Sequence, residues 1–221
     1  MSYGRIRRLA QFALATIVCV SVSHLAVAQD ARPVKIVAFG DSLIAGFGLP
    51  EQAAFPARLG KALAAKGLNA TVANAGVSGD TASGGLGRLD WSVPEGTDAV
   101  IVELGANDAL RGVAPDVTRK AIEAILARLQ QRKIVVLLCG MLAPPNMGAD
   151  YVRAFNGLFP DLATTHGVVF YPFFLDGVAA DDKLNQRDGM HPTAAGVDVI
   201  VARILPKVEE LISRARTMRG S

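Results

Sequence analysis

Serine, histidine and aspartate occur in this chain in a pattern that could activate a hydroxyl nucleophile. The serine lies in Gly40-Asp41-Ser42-Leu43. The other two lie far downstream in Asp188-Gly189-Met190-His191-Pro192. A serine hydroxyl is a weak nucleophile until a base takes its proton, and that base needs an acid to set its tautomer and stabilise its charge. Asp188 and His191 are three residues apart. Gly189 lets the chain bend between them, so a turn can swing the carboxylate onto the imidazole. The chain has three histidines. His24 falls in an apolar leader, and His166 has no acid near it in sequence and reads as an ordinary surface or helix-end residue. His191 is the candidate base. Taken alone, Asp188 could equally cap the terminal helix and His191 could simply precede a proline.

The elements around these residues decide whether they meet. Gly40-Asp41-Ser42-Leu43 directly follows the apolar run Val34 to Phe39, which places Ser42 on the turn leaving the carboxyl end of a buried strand, where open α/β sheets bind ligands. Further strand candidates are Ala70 to Ala73, Ala99 to Leu104, Ile134 to Cys139 and Val168 to Tyr171. All read as continuous apolar runs, as strands buried on both faces do. Helical patterns lie between them at Ala54 to Lys66, Pro115 to Arg132, Tyr151 to Thr165 and Thr193 to Arg214. In the second of these, Val117, Ala121, Ile125 and Leu129 mark the apolar face. The third is weakened by Gly157 and Pro160. The alternation predicts an α/β three-layer sandwich, a five-stranded parallel sheet with helices on both faces. The flavodoxin-like order 2-1-3-4-5 is suggested, though the pattern by itself does not fix it.

In that order the loops after the second and third strands adjoin Ser42. They carry Asn74-Ala75-Gly76-Val77-Ser78-Gly79-Asp80 and Gly105-Ala106-Asn107-Asp108. The Gly76 N–H, the Asn107 side-chain amide and the Ser42 N–H would together hold an oxyanion. Each loop alone is ordinary turn chemistry; their convergence on one edge is the informative feature. Met141 to Ala149 is an apolar loop at a strand's carboxyl end and a candidate wall of the site. Ser78 to Gly85 loosely resembles a phosphate loop but lacks a Gly-Lys-Ser/Thr ending, and reads as a helix start.

Residues 1–28 read as a secretory signal. Arg5, Arg7 and Arg8 precede an interrupted apolar stretch, and Ala26-Val27-Ala28 is a small-x-small cleavage site before Gln29. The stretch is too short for a membrane span of about 20 residues. Residues 29–221 then form one domain. The chain's 23 basic and 20 acidic residues differ only by the three leader arginines, so nothing points to nucleic acid as a partner. Arg214, Arg216 and Arg219 read as a frayed basic tail. Cys19 leaves with the leader, and Cys139 reads as a buried apolar residue. No cluster has metal-ligand spacing.

These residues resemble the SGNH (GDSL) hydrolase superfamily, across essentially the whole chain after the leader. Gly40-Asp41-Ser42-Leu43 is similar to the nucleophile block, Gly76 falls in the second, Asn107 in the third, and Asp188 to Pro192 matches the fourth. The resemblance implies Ser42, His191 and Asp188 as a triad, with Ser42, Gly76 and Asn107 as the oxyanion hole. Ser42 to Leu49, Asn74 to Thr81 and Tyr171-Pro172-Phe173-Phe174 are similar to the exported bacterial acyl-CoA thioesterase I, lysophospholipase and arylesterase group. That similarity implies a small periplasmic or secreted monomer acting on acyl esters and thioesters without a cofactor. The acyl chain would lie against Leu110, Met141, Leu142 and Met147. Two rival readings stand beside this one. One is a carbohydrate O-deacetylase using the same triad. The other is an exported, non-catalytic binding module, although a binder needs no acid–imidazole pair.

Overall fold

The computed structural model describes residues 32–220, so the leader and the Ala28-Gln29 junction lie outside the described residues. The five apolar runs are strands: β1 (Val34–Gly40), β2 (Ala70–Gly76), β3 (Ala99–Glu103), β4 (Val135–Cys139) and β5 (Val169–Tyr171). They pair in parallel in the order β2-β1-β3-β4-β5. Gly40 is in register with Gly76 on one side and Glu103 on the other. The chain therefore leaves β2, β1 and β3 at one level, and the strand order reverses between β1 and β3, where such sheets form a crevice.

Seven helices surround the sheet among the described residues: α1 (Ser42–Ala45), α2 (Phe55–Ala65), α3 (Ala82–Ser92), α4 (Ala106–Leu110), α5 (Pro115–Gln131), α6 (Ala149–His166) and α7 (Ala194–Gly220). Helices α2 and α7 pack together over one face; α3, α5 and α6 pack together over the other. β3 and β4 are buried along their whole length. β2 departs from the two-faced burial its sequence predicts. It is an edge strand, and its residues are half-buried or exposed, none of them fully buried.

Three helices also differ from expectation. α6 runs unbroken through Gly157 and Pro160, because Phe155, Leu158, Phe159 and Leu162 bury one continuous stripe that outweighs local propensity. In α5 the buried face includes Thr118, whereas Val117 is 47% exposed. Thr118 donates its hydroxyl to the buried Asp108 at 3.0 Å, which explains a polar residue on the inner face. α7 continues six residues past Arg214, and the basic tail is tied down. Arg219 pairs with Asp98 through Nε at 2.7 Å and also bonds the Pro33 carbonyl, while Arg214 reaches the Gly167 carbonyl. Cys139 is a buried free thiol, and burial pushes its ionisation well above the usual range.

Candidate active site

Ser42 is the first residue of α1. Asp41 caps that short helix, its Oδ1 accepting the Leu43 N–H at 3.0 Å. The Ser42 N–H has no hydrogen-bond partner among the described residues. Its Oγ lies 2.9 Å from His191 Nε2, and His191 Nδ1 lies 2.7 Å from Asp188 Oδ2. The three residues are thus joined in one hydrogen-bonded chain.

Asp188 Oδ1 also accepts the Met190 and His191 N–H groups, at 2.9 and 3.0 Å. The His191 N–H, then the Met190 N–H, then the imidazole hold its carboxyl down to about 2. It is an anion at any working pH, as a partner for an imidazolium must be. Asp188 does not cap α7. Thr193 does so, accepting the Gly196 N–H at 3.2 Å.

Two further residues steady the imidazole. Gln186 donates its N–H to the His191 carbonyl at 2.7 Å, and its side-chain amide bridges the carbonyls of Phe47 and Pro192 at 2.8 and 3.0 Å. The Phe47 ring rests on the His191 ring with centroids 4.5 Å apart. Sequence reasoning missed Gln186. It lies two residues before Asp188, but nothing in a lone glutamine marks it.

Asn107 is the second residue of α4 and donates its side-chain amide to Asp41 Oδ2 at 3.0 Å. The amide has a second hydrogen, and Asn107 borders the cavity beside Ser42. Its neighbour Asp108 is buried and accepts the Ala82 N–H at 2.9 Å as well as the Thr118 hydroxyl, which anchors α4 to α3 and α5.

Gly76 needs a correction. Its N–H is donated to Asn74 Oδ1 at 2.9 Å and is not open to a substrate. A Cβ there would lie 2.2 Å from the Ala45 nitrogen, so this position is glycine because β2 and α1 touch. Three residues on, Gly79 sits at φ +83° in the turn Val77–Asp80, and its N–H has no partner among the described residues.

A cavity of about 470 Å³ opens beside the triad. Ser42, Asn107 and His191 line its polar end; Leu110, Met141 and Leu142 lie along its apolar wall. Met147 does not line it. That side chain turns toward Gly112, its methyl 3.4 Å from where a Cβ would stand. Pro144, Phe173 and Met190 complete the wall. Met190 is signalled by its place between Asp188 and His191, and Phe173 by the segment after β5. A cavity of about 580 Å³ lies at the sheet's opposite edge, with no imidazole or carboxylate in its lining. His166 is also at that edge, its Nδ1 2.9 Å from Gln130 Oε1, far from the chemistry in the fold.

A serine–imidazole–carboxylate chain at the carboxyl edge of a doubly wound parallel sheet defines a serine hydrolase of the α/β class. Comparison with known proteins narrows this. Residues 38–199 match the model of the GDSL-like lipase/acylhydrolase family, and the chain belongs to that family. It is 35% identical over 185 residues to "Esterase TesA" of Pseudomonas aeruginosa, covering 83% of this chain and 92% of that one. It is 34% identical to "Thioesterase 1/protease 1/lysophospholipase L1" of Escherichia coli, over 80% of this chain and 85% of the relative. Among solved structures, AlinE4, described as an SGNH-hydrolase family esterase, superposes with a TM-score of 0.69 at 46% identity, covering 81% of this chain and 96% of that chain.

Proposed function

We propose that this protein hydrolyses acyl esters and thioesters through an acyl-serine intermediate on Ser42. The single observation that carries the reading is the Ser42–His191–Asp188 chain, with contacts of 2.9 and 2.7 Å, opening on an apolar cavity. His191 Nε2 takes the Ser42 proton as Oγ attacks the carbonyl carbon. Asp188 steadies the imidazolium through Nδ1–H. The tetrahedral oxyanion is met by the Ser42 N–H and the Asn107 amide. The third donor is an amide of the turn after β2. With the Gly76 N–H committed to Asn74, Gly79 supplies the open one. Collapse of the intermediate passes the proton from His191 to the departing alcohol or thiol. Water, deprotonated by the same imidazole, then releases the acid.

The apolar wall supports an acyl chain over a sugar acetate, which would leave that surface unfilled. Each methylene that enters it adds about 0.8 kcal/mol of binding, roughly fourfold in kcat/KM, until the cavity is full. The leader pattern supports export with cleavage after Ala28, and the small cavity supports small-molecule substrates. No helix among the described residues is long and apolar enough to cross a membrane. The test is a p-nitrophenyl ester series from acetyl to dodecanoyl, with mass spectrometry after treatment with a serine-directed phosphonate. The reading expects rates that rise with chain length and one adduct, on Ser42. A flat profile would refute the role of the cavity, and an adduct elsewhere would refute the nucleophile.

A further inference from the structure

We propose that Asp41 and Glu103 form a proton-sharing carboxyl pair beneath the nucleophile turn, and that its Asp41 member positions the Asn107 amide for the oxyanion. The proposal rests on the reading of Asn107 as an oxyanion donor.

Both residues are fully buried. Glu103 ends β3 and Asp41 follows β1, on neighbouring strands where Gly40 and Glu103 are in register. The Glu103 carboxyl lies against Asp41, its Oε2 accepting the Asp41 N–H at 3.4 Å. Gly40 makes room for this, since a Cβ there would lie 2.6 Å from Glu103 Oε2. No cation touches either carboxyl group among the described residues. Arg88, from α3, reaches the Gly40 carbonyl at 2.8 Å but pairs with Asp80. From the other elements packed around the pair, His191 faces Asp41 and the Cys139 thiol of β4 faces Glu103.

Two buried carboxyl groups in contact do not both ionise; they share a proton. The donors decide which of them keeps the charge. Asp41 receives the Leu43 N–H on Oδ1 and the Asn107 amide on Oδ2, each at 3.0 Å. Glu103 receives only the Asp41 N–H, at 3.4 Å on Oε2, and its Oε1 has no partner among the described residues. Asp41 is therefore the anion and Glu103 the neutral acid. Burial pushes both carboxyls up, Asp41 to about 6 and Glu103 well above the usual glutamate range, which is the same order. The Asp41 carboxylate then does two jobs at once. One oxygen caps the helical turn that begins with Ser42; the other pins one amide hydrogen of Asn107, so the second can face the oxyanion.

The test is a double-mutant cycle on p-nitrophenyl butyrate. Asn107→Ala should lower kcat by about 10²–10³. Asp41→Asn keeps a capping oxygen but sets an NH2 group against one of its two donors. It should lower kcat by about 10–10² with KM within about threefold. The double variant should be no more than about threefold slower than Asn107→Ala alone, because Asp41 acts through a side chain already removed. Asp41→Ser, a good cap too short to reach Asn107, is read in the same cycle should Asp41→Asn fail to fold. Glu103→Leu should slow turnover, and Glu103→Gln, which can donate as the neutral acid does, should restore most of it. Multiplicative losses in the cycle, or Gln as slow as Leu at 103, would overturn the pair while leaving the hydrolase reading intact. Asn107→Ala at the wild-type rate would refute the oxyanion assignment itself, and the pair with it.

Discussion

Asp188→Asn probes the triad most directly. The amide retains the oxygen that accepts the Met190 and His191 N–H groups, so the turn before α7 survives. The change falls on Oδ2, which lies 2.7 Å from His191 Nδ1. An NH2 group there makes Nδ1 an acceptor and moves the ring proton to Nε2. Nε2–H then faces Ser42 Oγ as a donor and cannot take the serine proton. The lost charge matters as well. Unit charges about 4 Å apart attract by about 4 kcal/mol at an effective dielectric of 20. The Asp188 and His191 side chains are 32% and 18% exposed, and that screening reduces the attraction to about 3 kcal/mol, roughly a hundredfold in rate. In the serine protease template, amidating a buried acid costs about 10⁴. The expected loss in kcat/KM here therefore lies between about 10² and 10⁴. The assay is p-nitrophenyl butyrate hydrolysis alongside the phosphonate labelling rate, with the thermal midpoint as a folding control. A variant within about tenfold of wild type, at an unchanged midpoint, would mean that Asp188 is not the acid that orients His191.

Gly76→Ala should destabilise the fold by about 1–3 kcal/mol, because its Cβ would meet the Ala45 backbone and part β2 from α1; an unshifted denaturant midpoint would contradict this packing. Arg219→Ala should cost about 1–2 kcal/mol, because the half-buried Asp98 loses one charged partner and keeps Arg32 and the Lys35 N–H. Burial raises the Asp98 carboxyl, but Arg219, the Lys35 N–H and Arg32 overcome it and hold the group below its ordinary range. Its stabilisation is therefore present above about pH 4 and is lost as the pH falls further, so acid unfolding of wild type and of Arg219→Ala should converge at low pH. A constant gap between them down to about pH 2 would rule this out. His166→Ala should hydrolyse esters at close to the wild-type rate, since that imidazole pairs with Gln130 at the far edge of the sheet; a large loss would reopen the choice of base.

Much of this protein was legible in one dimension. The strands show because buried parallel strands are continuous apolar runs, and the triad's acid and base show because three residues with a glycine between them make one local turn. Chemistry set by neighbours in sequence survives without the fold. The rest depends on which strands lie side by side. Only the order β2-β1-β3 brings Asp41 onto Glu103 and Asn107, and only contact between β2 and α1 lets the Ala45 carbonyl hold the Asn74 amide whose oxygen takes the Gly76 N–H. Met147 left the acyl wall for a similar reason, because its side chain packs toward the loop at Gly112. Residue types state what a group is able to do. Burial and hydrogen-bond partners supplied by distant segments decide which groups are charged, which donors are free and which walls face a substrate, and those exist only once the sheet has formed.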